Sequence, residues 1–503
     1  MSEDNSTSVL INPVYQNPHY AALFKETLLG QSQFSDPFPY FSLPNFLTNQ
    51  QFVTNLRQEL EQVQYNRREN DLFSLYQTDD LKNFDRDKFP LLTRFRELFC
   101  TDVLQWLRNI SSVNLTDDVA ITSSKYCYTD LLLPHDDRCE KRKFAFIFYL
   151  TPNWKETDGG QLVLFNSNDK SNPTSVGRIV TPAENMLTIF EVSPRSWHMV
   201  TEVRCQQERL SLHGWFHHDV NDDASHFNLD HIEKLVKPHL DITYNEVLEW
   251  INEDYIAPNQ QQDIRSFFKS NSEISLAGFI SENKLGSLLH ELDNADFKIV
   301  GPVNKKKLEI LQETVLPKDS SLSCLLRLMQ SQAMALLISQ WTGLPLYPIE
   351  NEVTTEQGIR CNTLVYRICE GYYTMVDDQV IDEMEQLGYG LNFKLILCAN
   401  EWNEEHGGFI SYIAKELEDE VTRFVPANNH AALVLIEPGI YPFIKYVNCK
   451  AKQKCYYMID CYFYGFRLPD DFVTSSEESL ESGIEYEDGS ENEGGNNRPG
   501  PNN

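Results

Sequence analysis

The chain has 503 residues, 41% hydrophobic and 12% aromatic, enough for two globular cores with tails. A formal charge of −31 opposes nonspecific binding to nucleic acid, whose phosphates need a basic face, and suits a basic partner. No apolar run approaches a membrane span, no basic-then-apolar leader opens the chain, and the 11 cysteines contain no Cys-x-x-Cys pair. These features predict a soluble protein of a reducing compartment, cytoplasmic and/or nuclear, without structural zinc or membrane attachment. In chain order, residues 1–30 show no sustained period and read as a flexible arm. Phe38-Pro39-Tyr40-Phe41 looks like a first strand. Thr48 is a candidate cap for a helix carrying Phe52, Leu56, Leu60 and Val63, and a second helix carries Leu91, Leu92, Phe95, Leu98, Phe99 and Leu107. From Ile121 short strand-like runs follow at 125–133, 143–150, 161–165, 186–192 and 210–217, separated by turn signals such as Asp158-Gly159-Gly160 and Ser193-Pro194. Many short strands with turns predict a jelly-roll barrel with flanking helices.

Two segments about sixty residues apart carry the chemistry: Pro134-His135-Asp136-Asp137 and Pro194-Arg195-Ser196-Trp197-His198, the second followed by Arg209. His135, Asp137 and His198 supply two imidazoles and one carboxylate. That set occupies one face of a ferrous ion and leaves the other open to an organic chelate and dioxygen. Such a site accepts 2-oxoglutarate through its keto acid end, and the far carboxylate then needs a cation. Arg209 offers a planar fork for it, and Ser211 points the same way by strand alternation. Tyr126 and Tyr149 are suitable further donors on neighbouring strands. His217-His218-Asp219 and His239-Leu240-Asp241 also match His-x-Asp or its neighbour pattern, but neither is followed by a second histidine and a trailing arginine.

The second half repeats the plan of the first. The segment from Phe144 to Phe165 aligns with that from Phe393 to Tyr412, with Trp154 and Gly159-Gly160 matching Trp402 and Gly407-Gly408 at equal spacing. Pro182-Ala183-Glu184-Asn185 likewise matches Pro426-Ala427-Asn428-Asn429. By this register Val376-Asp377-Asp378 falls where His135-Asp136-Asp137 stood, and Pro442 where His198 stood. A second barrel without imidazoles is expected to be metal-free. Between the barrels, short helices surround Val247, Leu248, Trp250 and Ile251, and residues 325–341 read as one long helix. After Leu468-Pro469 the sequence turns to Ser, Glu, Gly and Asn, reading as a disordered acidic tail.

These motifs resemble the 2-oxoglutarate and iron dependent prolyl hydroxylases that modify a decoding-centre protein of the small ribosomal subunit, the Tpa and Sudestada type. The resemblance runs from Pro37-Phe38-Pro39 through Asn70-Asp71-Leu72 and Asp79-Asp80-Leu81-Lys82, and on through Ser272-Glu273-Ile274-Ser275-Leu276 and Gly301-Pro302-Val303-Asn304. It implies a mainly β (α+β) protein of two tandem double-stranded β-helix domains, the second degenerate. The expected division is an arm at 1–30, a catalytic domain at 31–220, linker and helices at 221–275, a non-catalytic domain at 276–468 and a tail at 469–503. The resemblance implies Fe(II) on His135, Asp137 and His198; 2-oxoglutarate contacted by Tyr149 and Arg209; O2 as cosubstrate; and ascorbate as reductant. It also implies 3-hydroxylation of one proline in the basic ribosomal protein, with effects on translation accuracy or termination and with translation or stress-granule partners. The competing readings are an oxygenase with another protein target and a non-catalytic scaffold for translation or stress granules.

Overall fold

A computed structural model describes residues 10–220, 235–313, 316–347, 358–376, 384–415, 420–470 and 472. The first half contains helices α1 (Pro18–Leu28), α2 (Gln50–Leu60), α3 (Pro90–Leu98) and α4 (Leu104–Ser111). Its strands are β1 (Tyr40–Leu43), β2 (Asn66–Glu69), β3 (Phe73–Gln77), β4 (Leu115–Tyr126), β5 (Leu131–His135), β6 (Arg142–Tyr149), β7 (Leu162–Ser167), β8 (Pro173–Val180), β9 (Met186–Glu191), β10 (His198–Val200) and β11 (Arg209–His218). The second half contains α5 (Tyr244–Trp250), α6 (Pro258–Asn271), α7 (Glu282–Asn294), α8 (Ser321–Met329) and α9 (Gln332–Thr342). Its strands are β12 (Glu273–Ala277), β13 (Phe297–Val300), β14 (Lys306–Leu311), β15 (Arg360–Cys369), β16 (Tyr373–Thr374), β17 (Gly390–Leu397), β18 (Ile410–Ala414), β19 (Glu420–Phe424), β20 (His430–Ile436), β21 (Ile440–Ile444) and β22 (Cys455–Tyr464).

The repeat read from sequence is present strand for strand. The first sheet runs β1-β9-β6-β11-β4-β3-β5-β10-β7-β8, with β2 beside β3. The second half runs β12-β20-β17-β22-β15-β14, with β13 and β16 both on β14, and β19-β18-β21 as a separate sheet. Each strand therefore has its counterpart eleven places later. Fold class is as expected: two double-stranded β-helices, mainly β, with helices on one side of each. Alternation sorts the faces. Phe144, Phe146 and Phe148 of β6 pack with Phe95, Phe99 and Leu107 under the helices, while Ala145, Ile147 and Tyr149 face the barrel interior.

Several local expectations are corrected. Residues 11–28, read as arm, pack into the first core: Phe24 is buried and stacks on Phe41 at 4.2 Å. A single short amphipathic helix gives too few repeats for a period to show. The cap of α2 is Asn49, whose side chain accepts from Phe52 N, rather than Thr48, and Val63 lies beyond the helix end. The run at 125–133 is two strands, because Thr129 at φ 77° sits in a turn between β4 and β5. The helix expected at 325–341 is two, since the Ser331 hydroxyl accepts from Met334 N and caps a new start. Val247, Trp250, Ile264 and Phe268, in the stretch read as linker and short helices, belong to the second core. Cys369 and Cys455, opposite each other on β15 and β22, form a disulfide across 86 residues, a pairing that the scattered cysteine spacing did not reveal. Asp377, Asp378 and nearly all of the acidic tail lie outside the described residues. No helix among the described residues is long and apolar enough to cross a membrane.

Candidate active site

Antiparallel pairing brings the two distant ligand segments together. β10 lies between β5 and β7, with His198 directly opposite His135 on one side and Leu164 on the other. Their rings approach to 4.1 Å between centroids. His135 Nε2 lies 3.5 Å from one Asp137 carboxylate oxygen, and His198 Nε2 lies 3.4 Å from the other. One donor atom from each of the three residues falls within 4.8 Å of the others, the one such group among the described residues. Asp137 holds a left-handed φ of 62°, a conformation that Asp tolerates and that turns its carboxylate back toward the imidazoles.

The tautomers follow from the second nitrogens. His135 Nδ1 lies 2.9 Å from Leu133 O, and His198 Nδ1 lies 2.7 Å from Ser196 O. A carbonyl only accepts, so each Nδ1 carries the proton and each Nε2 lone pair faces the shared centre. Burial, reinforced by the neighbouring His198, pushes the His135 imidazolium down to about 4, so the ring is neutral near pH 7. Burial alone would raise the Asp137 carboxyl. His198, His135 and the Trp215 indole outweigh it and hold the group well below the usual carboxylate range. Trp215 Nε1 donates to Asp137 Oδ2 at 3.1 Å. The Arg142 guanidinium stacks 3.7 Å from the Trp215 ring centroid, 3.7 Å from Asp137 Oδ1. Two imidazoles whose Nε2 atoms converge and one ionised carboxylate, with an open side, fit Fe(II).

Deeper in the same cavity, of about 210 Å³, Arg209 is 1% exposed. Its Nε donates to Gly160 O at 2.7 Å, and its Nη1 reaches Ser211 Oγ at 3.4 Å. The Tyr126 and Tyr149 rings lie 4.8 and 5.2 Å from the guanidinium carbon. Burial pushes the Tyr126 phenol up to about 12 and also raises that of Tyr149, despite the opposing pull of Arg209. Arg209 Nη2, Tyr149 Oη and Ser124 Oγ are buried without a hydrogen-bond partner of normal geometry. Orphaned donors are costly, and an unpaired nitrogen of the cationic fork with two hydroxyls beside it makes a cradle for a carboxylate. The cavity thus joins a metal-ligand face to an anion cradle, the two ends that 2-oxoglutarate requires.

Of the seven residues singled out from sequence, Tyr126, His135, Asp137, His198, Arg209 and Ser211 line the cavity, and Tyr149 stands behind it against the Arg209 guanidinium. Ser124, Arg142, His213 and Trp215 were missed. Alternation from Arg209 would have found His213 and Trp215 on the same face of β11, and pairing of Ser211 with Ser124 places the latter. Burial pushes His213 down to about 4, opposed by Asp137 and aided by Arg209 and Arg142. The other His-x-Asp matches are engaged elsewhere: His217 Nδ1 faces Asp118 O at 3.0 Å, and His239 Nε2 faces Arg327 O at 2.8 Å.

In the second barrel Pro442 pairs with Tyr412 as His198 pairs with Leu164, which confirms the register. The anion end is filled there. Trp402 Nε1 donates to Gly407 O as Trp154 Nε1 donates to Gly159 O, each at 2.8 Å. Beside this shared frame the Tyr456 hydroxyl donates to Gly408 O at 2.6 Å, using the carbonyl whose counterpart receives Arg209.

Fold and site define a 2-oxoglutarate-dependent dioxygenase that uses Fe(II) and O2. Residues 121–217 match the 2OG-Fe(II) oxygenase superfamily, and residues 243–467 match the family described as oxoglutarate and iron-dependent oxygenase degradation C-term. Prolyl 3-hydroxylase OGFOD1 of Xenopus laevis is 33% identical, over 84% of this chain and 85% of its own. Prolyl 3-hydroxylase OGFOD1 of Mus musculus is 30% identical over 83% and 86%, and prolyl 3-hydroxylase sudestada1 of Drosophila melanogaster 30% over 82% and 78%. Among solved structures, a Pseudomonas putida prolyl-4-hydroxylase matches at 21% identity and TM-score 0.32, covering 40% of this chain and 99% of that one. The chain belongs to the prolyl hydroxylase family of OGFOD1 and sudestada1.

Proposed function

We propose that this protein hydroxylates C3 of one proline in a basic protein of the small ribosomal subunit's decoding centre. The observation that carries the reading is the pair of converging Nε2 atoms and the Asp137 carboxylate above a cradle of unspent donors around Arg209. The relatives named prolyl 3-hydroxylase support the target atom, and a formal charge of −31 suits a basic substrate. In this reading His135, Asp137 and His198 hold Fe(II), and Arg209, Tyr149, Tyr126 and Ser211 hold the far carboxylate of 2-oxoglutarate. Bound Fe(II) couples oxidative decarboxylation of 2-oxoglutarate to succinate and CO2 with insertion of one oxygen atom of O2 into a C–H bond. The chain's own part is placement and exclusion. Trp215 and Arg142 orient the Asp137 carboxylate. Leu72, Phe73, Leu75 and Ala145 offer apolar surface to a pyrrolidine ring and keep water from the reacting centre. Ascorbate serves as reductant, and the protein acts in the cytoplasm and/or nucleus on translation accuracy or termination.

The test is peptide mass spectrometry of the ribosomal protein incubated with Fe(II), 2-oxoglutarate and either this protein or its His135→Ala variant. One oxygen added to one proline by the unmodified chain alone is expected. Consumption of 2-oxoglutarate without modification of that protein would remove the substrate assignment and leave the oxygenase intact.

A further inference from the structure

Among the described residues the second barrel holds no group of metal ligands, yet it reaches the wall of the working cavity. Lys445 follows β21 and is 7% exposed. Its backbone is fixed within its own barrel, where its N–H donates to Phe409 O and its carbonyl accepts from Gly408 N, both at 3.0 Å. Its ammonium crosses to the first barrel. There it donates to Asn70 O, lies 3.4 Å from Phe73 O, and sits 3.2 Å from the Glu69 carboxylate. An ammonium has three donors, and all three point at the turn of the β2–β3 hairpin.

That hairpin forms one wall of the cavity. Leu72, Phe73, Leu75 and Gln77 line it together with His135, His198 and Arg209. The Asn70 side chain closes the turn, accepting from Leu72 N and Phe73 N at 2.9 Å each. At the tip, Asp71 accepts from Val376 N of the second barrel at 2.9 Å. Leu133 N donates to Leu72 O at 2.9 Å, two residues before His135. Behind the turn, Leu131 and Leu133 pack with Tyr373 of β16. Within the first barrel's sheet the hairpin is tied only through β3, by two-residue pairings with β4 and with β5, while β2 is exposed along its length and pairs with β3 alone.

We propose that Lys445 is a positioning residue for the active-site wall, and that the second barrel's role toward the first is to hold the β2–β3 hairpin closed on the substrate side of the cavity. A buried ammonium is tolerated only when fully paired, so the hairpin turn and Lys445 are fixed together or not at all. The link to substrate rests on the prolyl hydroxylase reading, whereas the link to the hairpin does not.

Hydrogen exchange of the full chain separates the two. Lys445→Met should accelerate exchange at the amides of residues 70–77 at least tenfold, with β11 and β22 unchanged. Asp71→Ala, which leaves the second barrel's core untouched, should loosen the same segment by a smaller factor. Kinetically, Lys445→Met should raise KM for the prolyl peptide several-fold while KM for 2-oxoglutarate in peptide-free turnover stays within twofold. Unchanged exchange at 70–77, or equal loss of protection throughout β21 and β22, would overturn the proposal. If the peptide is not hydroxylated by any of the proteins, the substrate reading falls and the exchange data still decide the positioning role.

Discussion

Arg209 is the residue on which the cosubstrate end of the site depends, because it is buried, engaged through Nε by Gly160 O and through Nη1 by Ser211 Oγ, and flanked by two tyrosines. Arg209→Gln should weaken 2-oxoglutarate binding by roughly 10- to 100-fold, the worth of a charge-assisted hydrogen bond. Calorimetric titration of 2-oxoglutarate in the presence of metal would check this, and unchanged affinity would move the anion site elsewhere. His213 is a second residue with a measurable signature. Its imidazole lies 3.1 Å from Thr122 Oγ1 and 3.4 Å from Gln77 Nε2, and burial holds it down at about 4 against an unfolded value near 6.5. Between those values the unfolded chain binds a proton that the folded chain does not. Stability is therefore lost as pH falls from about 6.5 to about 4, by an amount on the order of 3 kcal/mol from this group. Thermal denaturation at pH 7.5 and 5.0 should show a smaller pH-dependent drop in Tm for His213→Gln than for the unmodified chain. At this scale the ligands were legible because few residue types bind ferrous iron and their spacing was distinctive. Arg142 was not, and for Trp215 only its face on β11 was, because their roles arise from stacking across the β6–β11 pair and from the Trp215 hydrogen bond to Asp137, which only the folded chain creates.

Elements place these residues through turns as much as strands. Gly159 and Gly160 are both left-handed, at φ 71° and 61°, between the short 3-10 turn Glu156–Asp158 and β7. A Cβ at Gly160 would lie 2.8 Å from Arg209 Cδ and 3.1 Å from Trp154 and Val203 side-chain atoms. Gly160→Ala should displace Arg209, raise KM for 2-oxoglutarate about tenfold and destabilise the fold by about 1–3 kcal/mol, as overpacking generally does. Steady-state kinetics and a denaturant midpoint check the pair, and a change in stability alone would show that the turn does not position Arg209. The Trp-Gly-Gly spacing was visible in both halves of the sequence, so the turn was legible as a repeat. Its coupling to Arg209 was not, since 49 residues separate the carbonyl from the guanidinium. The divided helix at 325–341 and the divided strand at 125–133 were misread for the opposite reason: each break is a short polar step, Gln330-Ser331-Gln332 in one and Thr129-Asp130 in the other, that acts as a cap or turn between two apolar runs.

At the scale of the molecule, one topology used twice yields one equipped cavity and one barrel whose anchoring carbonyl is taken by a tyrosine. The first keeps His135, Asp137, His198 and Arg209; the second has Pro442 in the histidine register and the Tyr456 hydroxyl on the anchoring carbonyl. The two barrels are joined beside the ligand strands. Glu202 accepts from Cys449 N at 2.7 Å just beyond β10, Arg204 pairs with Glu370, and Lys445 grips the β2–β3 turn. Sequence alignment of the halves revealed the duplication and the missing imidazoles. The Tyr456–Gly408 hydrogen bond and the contacts between barrels involve residues far apart in sequence, so only the folded chain displays them. The most direct measurement is an anaerobic titration of the full chain with Fe(II) and 2-oxoglutarate, followed by the visible charge-transfer band of the bound chelate. One Fe(II) and one 2-oxoglutarate per chain are expected, with the band abolished in His198→Ala and retained in Tyr456→Phe. Two equivalents per chain, or a band that survives His198→Ala, would contradict the assignment of the metal centre to the first barrel alone.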